Sequence, residues 1–167
     1  MGKACCFVGH RKTEATKKLI KTLTACIEEL IEKDGVDTFY FGSRSQFDTL
    51  CLKTVSALQK EKYPFIKRIN IRAEYPDITR EYEEYLSGMY ERSFFPKGLR
   101  GSGRAVYVER NREMIERSDV CVFYYKEDYL PEAKQKNEML APKKTKSGTA
   151  LAFDFAKRKN KRIINVI

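Results

Sequence analysis

A chain of 167 residues is the length of one domain and can bury a single sizeable core. No apolar run approaches the roughly 20 residues that cross a bilayer, and the opening apolar run of about five residues is too short for a secretory leader, so a cytoplasmic protein with no membrane segment is expected. Thirty-three Lys and Arg against 23 Asp and Glu give a net charge of +10, which favours anionic partners: a small phosphorylated ligand first, nucleic acid second.

The stretch KACCFVGHR occupies positions 3–11. An unbroken apolar run from Ala4 to Val8, closed by Gly9, reads as a strand buried on both faces. Positions 13–33 place Leu19, Ile20, Leu23, Cys26, Ile27, Leu30 and Ile31 on one helical stripe, with Thr13 as N-cap and Asp34-Gly35 as the stop. Positions 36–41, VDTFYF, are β-branched and aromatic, hence a second strand, and it too ends on a glycine, Gly42. A second helix covers 46–62 with Phe47, Leu50, Cys51, Val55 and Leu58 on one face, and Asp48 in its first turn suits the helix dipole. Positions 65–72 form a third strand, more polar and so placed at an edge. Repeated strand–helix steps imply parallel strands joined by right-handed crossovers.

Pro76-Asp77 opens a helix over 78–90, whose Tyr82, Tyr85, Leu86 and Met89 share one side and offer a homodimer interface. Positions 92–104 hold Pro96, Gly98, Gly101 and Gly103 around Phe94 and Phe95 and read as a lid loop. A short strand over 105–108, a charged helix over 109–117 and a fully buried strand over 119–124 follow. Positions 126–146 are polar and lysine-rich, with Pro131 and Pro142, and read as a flap. Ser147-Gly148-Thr149 opens the last helix and 162–167 is the closing strand. The expected fold is a single α/β domain over 1–167, Rossmann-like and doubly wound, with a mainly parallel sheet of five to six strands and helices on both faces. Cys5, Cys6, Cys26, Cys51 and Cys121 are odd in number, show no C-x-x-C and accompany one histidine, so they read as free buried thiols rather than a metal site.

In such a sheet ligands bind beyond the carboxyl ends of the strands, where the strand order reverses. Gly9-His10-Arg11, Gly42-Ser43-Arg44, the Arg110 region and Ser147-Gly148-Thr149 would all reach that edge. Gly9 and Gly42 allow close backbone approach. His10 and Arg11 suit a heteroaromatic or anionic group. The helix N-terminus at Ser147, Gly148 and Thr149 presents unpaired N–H groups to a phosphate. Tyr124 and Tyr125, ending a buried strand at the same edge, read as core aromatics with base stacking as the alternative. The candidate ligand-binding set is Gly9, His10, Arg11, Gly42, Ser43, Arg110, Ser147, Gly148 and Thr149.

Three blocks, CCFVGHR at 5–11, ERNREMIERSDVCVFYY at 109–125 and SGTALAFDFAKRKNKRIINVI at 147–167, resemble the SLOG superfamily, and within it the single-domain bacterial branch known as DUF1273 or YpsA-like. That superfamily is Rossmann-like and includes the LOG phosphoribohydrolases, the DprA DNA-processing proteins and domains that sense NAD-derived nucleotides. By this resemblance Arg110 and Met114 fall on the arginine and methionine of the LOG motif R-K-x-x-M, whose arginine is catalytic, while Asn111 stands at the lysine position. Ser147-Gly148-Thr149 falls on the G-x-G-T phosphate loop, with serine for one glycine. The LOG catalytic glutamate position holds Ala152, and the nearest acid, Asp154, is turned about 200° away around the helix. The resemblance implies binding of an AMP-like nucleotide, ADP-ribose or an NAD fragment in a sensing or regulatory role. The phosphate would sit on Ser147-Gly148-Thr149 with help from Gly42-Ser43 and Arg11, and His10 and Arg110 would face the ribose or base. The alternatives are N-glycosidic cleavage of a nucleoside monophosphate, with Arg110 catalytic and Asp48 or Asp154 as the carboxylate, and single-stranded nucleic-acid binding of DprA type.

Overall fold

Six of the seven residues of β1, Lys3–Gly9, are buried, so this strand takes the interior of the sheet. The computed structural model describes residues 2–42, 45–128 and 146–167. After β1 come α1 (Lys17–Glu32), β2 (Val36–Phe41), α2 (Gln46–Glu61), β3 (Lys67–Ile71), α3 (Arg80–Ser87), β4 (Arg92–Phe94), α4 (Arg104–Glu116), β5 (Val120–Tyr124), α5 (Gly148–Arg158) and β6 (Arg162–Asn165). The six strands are all parallel, in the order β4-β3-β2-β1-β5-β6. This is the expected Rossmann-like α/β architecture, with helices on both faces.

Alternation along β1 divides the core in two. Cys5 and Phe7 pack with Phe39, Phe41, Val122 and Tyr124 under α1, α2 and α3. Cys6 and Val8 pack with Cys121 and Phe123 under α4 and α5. Phe7 stacks on Phe39 and Phe41 across the strands, with ring centroids 5.9 and 5.3 Å apart. Burying each such ring contributes about 1.5–3 kcal/mol. All five cysteines are free thiols. No helix among the described residues is long and apolar enough to cross a membrane.

Four elements depart from the sequence pattern. Helix α1 starts after Thr16, whose hydroxyl accepts the Leu19 N–H at 3.1 Å. Thr13 does not cap it: its hydroxyl donates back to the His10 carbonyl at 3.2 Å, and its N–H donates across the fold to Gln46 Oε1 at 2.8 Å. The first residues of the expected lid over 92–104 are the edge strand β4, fastened where the Arg72 N–H donates to the Phe94 carbonyl at 2.9 Å, and β3 therefore lies inside the sheet. The expected strand over 105–108 is the first turn of α4: β-branched residues yield here to the tertiary context. The helix expected over 78–90 is shorter, Arg80–Ser87, with Thr79 accepting the Tyr82 N–H at 3.2 Å. Of the flap expected over 126–146, positions 129–145 lie outside the described residues.

Candidate functional site

Strands β2, β3 and β4 are laid down to one side of β1, and β5 and β6 to the other. The reversal falls between β1 and β5, and the crevice beyond their carboxyl ends is where this fold receives ligands. A cleft of about 370 Å³ opens there, walled by Lys12, Thr13 and Glu14 after β1, Gln46 opening α2, and Tyr124 and Lys126 at the end of β5. Tyr124 is the floor: its ring stacks on Phe47 beneath it at 5.6 Å, and the Lys126 ammonium stands 5.5 Å from its centroid. Except for Tyr124, the sequence reading missed these residues. Their signal was position alone, since each follows a strand end or opens a helix.

Both strand-end glycines are needed by the protein's own side chains. A Cβ at Gly9 would lie 2.4 Å from the Phe47 ring, and one at Gly42 would lie 2.6 Å from Arg110 Cδ and 3.0 Å from Met114 Sδ. The close approach expected at these positions is therefore made by Phe47 and Arg110.

His10 and Arg110, expected to face the ligand, are buried in the frame that supports the crevice. His10 Nε2 accepts the Lys126 N–H at 2.7 Å, tying the end of β1 to the segment after β5. Burial pushes its imidazole down to about 4, so at neutral pH it is a neutral acceptor. Arg110 donates through Nη1 to the Gly42 carbonyl and through Nε to Asn111 Oδ1 at 3.1 Å. On the other side of the same residue, the Gly42 N–H donates to Asp48 Oδ1 at 3.4 Å. Asp48 is fully enclosed, and burial pushes its carboxyl up to about 7 against the opposing pull of the Gly42 N–H and Arg110. Burial likewise lowers Arg110 to about 10, opposed by Asp48 and Glu74.

These shifts fix the sign of the pH dependence. Asp48 moves up from an ordinary 3.8, so between about 4 and 7 the folded protein keeps a proton that the unfolded chain has released, and stability falls as pH rises through that window. His10 moves down from 6.5; its contribution is complete above that pH and is lost as pH falls towards about 4. Asp48→Asn removes the first trend alone. Urea titrations should show the difference in unfolding free energy, variant minus wild type, rising steadily from pH 4 to 7; a flat difference would count against the assignment.

None of the remaining candidates is among the residues that line the cleft. Arg11 is exposed, and its carbonyl accepts the Gln46 N–H at 2.9 Å. Ser147 caps α5 by accepting the Ala150 N–H at 3.1 Å, Thr149 is buried behind it, and a Cβ at Gly148 would meet open space. Ser43 lies outside the described residues. Ala152 is on the buried face of α5, in the core, and Asp154 pairs with Lys146 at 2.6 Å.

No family model and no curated protein matches this chain. One solved structure similar to it is that of the molybdenum cofactor carrier protein of Chlamydomonas reinhardtii, at 11% identity and a TM-score of 0.54, covering 98% of this chain and 75% of that one. At that identity the likeness is one of fold.

Chemically, the crevice offers two ammonium groups, the Gln46 amide, one carboxylate and an aromatic floor on the α1/α2 side. That set suits an anion joined to a polar organic body. The N-terminus of α5 is uncrowded at Gly148.

Proposed function

We propose that this chain binds a small phosphorylated ligand of the nucleotide class, such as AMP, ADP-ribose or an NAD fragment, in the crevice beyond β1 and β5, and that it is a SLOG-type domain whose output is sensing or regulation. The carrying observation is the cleft of about 370 Å³ at the β1/β5 reversal with Lys12 and Lys126 in its wall. The open first turn of α5 supports the same reading, because its N–H groups and dipole favour a phosphate. That the structural neighbour carries the molybdenum cofactor supports a small-ligand role for the shared architecture. Turnover of LOG type forms no part of the proposal, since Ala152 is a buried core residue at the position where that chemistry needs a carboxylate.

The test is a thermal-shift and calorimetric screen of AMP, ADP-ribose, NAD and molybdenum cofactor against the wild type and two variants. Lys126→Ala removes an exposed ammonium and should weaken binding of the active compound about tenfold or more. Gly148→Leu places its side chain in open space, so the fold should survive while the α5 amides are blocked. A compound whose affinity is indifferent to both substitutions binds elsewhere, and that outcome ends the proposal.

A further inference from the structure

One wall of the cleft has the wrong sign for a phosphate. Glu14 lines it together with Lys12 and Lys126, and its exposed carboxylate makes no ion pair or hydrogen bond among the described residues. Two like charges 4 Å apart repel by about 1 kcal/mol even in bulk water, so this carboxylate opposes an anion beside it and needs hydrogen-bond donors instead. Gln46 sharpens the division of labour. Its Oε1 is committed to the Thr13 N–H at 2.8 Å, which leaves Nε2 as a donor on the same wall. The cleft therefore has donors and cations at some positions and one strong acceptor with two oxygens at Glu14. A ligand that matches is anionic at one end and carries adjacent hydroxyls at the other. A vicinal diol satisfies both carboxylate oxygens, whereas the exocyclic amine of a base brings a single nitrogen.

Volume narrows the choice. Ligand pockets run from about 300 to 1,000 Å³, and about 370 Å³ is near the small end. Among the described residues that is room for one nucleoside monophosphate or one sugar phosphate unit. We infer that the cleft takes a ribose phosphate unit, with Glu14 accepting the ribose hydroxyls and Lys126 facing the phosphate, so that Glu14 is the residue that selects ribose over deoxyribose; this rests on the nucleotide-class reading above.

The probes are AMP and 2′-deoxy-AMP, with ribose 5-phosphate and 2-deoxyribose 5-phosphate as their base-free counterparts, titrated calorimetrically into the wild type, Glu14→Ala and Lys126→Ala. Glu14 is exposed, so its alanine variant should unfold at the wild-type temperature. The wild type should prefer each ribose compound about tenfold, as expected for one charge-assisted hydrogen bond. Glu14→Ala should bring that ratio to about one, and Lys126→Ala should weaken both members of a pair equally and keep the ratio. Equal affinities in the wild type, or a preference that survives in Glu14→Ala, would overturn the assignment of Glu14 while leaving Lys126-dependent binding intact. If none of the four binds, or binding ignores Lys126→Ala, this inference falls, while the nucleotide-class reading is decided by the screen above.

Discussion

Replacing Arg110 with alanine lowers the free energy of unfolding by about 3–5 kcal/mol at pH 8, and by less at pH 5. The guanidinium is buried, bonded to the Gly42 carbonyl and to Asn111, and it faces the enclosed carboxyl of Asp48. Truncation leaves the Gly42 carbonyl without its donor, a loss of about 1–3 kcal/mol at any pH. The pH-dependent part comes from Asp48. At pH 5 Asp48 is already neutral in the folded wild type, because its carboxyl has been pushed up to about 7, so removing Arg110 strands no charge. At pH 8 the wild type holds an ionised Asp48 against Arg110; without the guanidinium the carboxyl must either stay charged in the core or take up a proton, and both cost stability. Lysine at this position keeps the charge but cannot span both Gly42 and Asn111, so it should recover only part of the loss. Urea titrations at the two pH values decide the matter. An equal penalty at pH 5 and pH 8 would mean that Arg110 and Asp48 do not act as a pair.

That prediction also weighs on the catalytic role implied for Arg110 by the R-K-x-x-M resemblance. A residue whose hydrogen bonds are spent within the protein must first release them to touch a ligand. The sequence supports both roles, and only the partners decide between them.

How far the sequence carried the rest follows from the reach of each signal. β1 was legible because Ala4 to Val8 are all apolar, and α1 and α2 because their inward residues recur with helical spacing. Helix α4 was legible over 109–117 but not in its first turn: its buried face runs Val106, Arg110, Asn111, Met114 and Ile115, two of them polar, which weakens the apolar stripe, and its opening Ala-Val-Tyr-Val looks like a strand. β4 has three residues, fewer than any periodicity needs. Thr13 was misread because its N–H is held by Gln46, 33 positions away, a contact that no local pattern encodes, and its hydroxyl turns back to the His10 carbonyl three residues before it. The same limit governs the site. The sequence marked Gly9 and Gly42 as places of close approach but could not say what approaches, and it could not assemble a cleft whose walls come from three separated segments.

Alanine at Gly9 should destabilise the protein by about 3 kcal/mol, at the upper end of what overpacking costs. The added carbon would stand 2.4 to 2.7 Å from three atoms of Phe47, a ring with no exposure and no room to retreat. Phe47 in turn stacks on Tyr124, and Gly9 lies opposite Tyr124 in the β1–β5 ladder, so displacing the ring disturbs the floor of the cleft as well as the core. Two of the three clashing atoms, Cδ2 and Cγ, belong to the ring, and the third is Cβ. Phe47→Ala alone should cost about 3–5 kcal/mol through the cavity it leaves. Phe47→Ala removes the two clashing ring atoms but keeps Cβ at 2.7 Å, so in that background Gly9→Ala should cost less than in the wild type, giving a coupling of more than about 1 kcal/mol in a double-mutant cycle, as residues in direct contact show. If Gly9→Ala instead left the unfolding free energy untouched and abolished nucleotide binding, the close approach at this glycine would belong to the ligand rather than to Phe47.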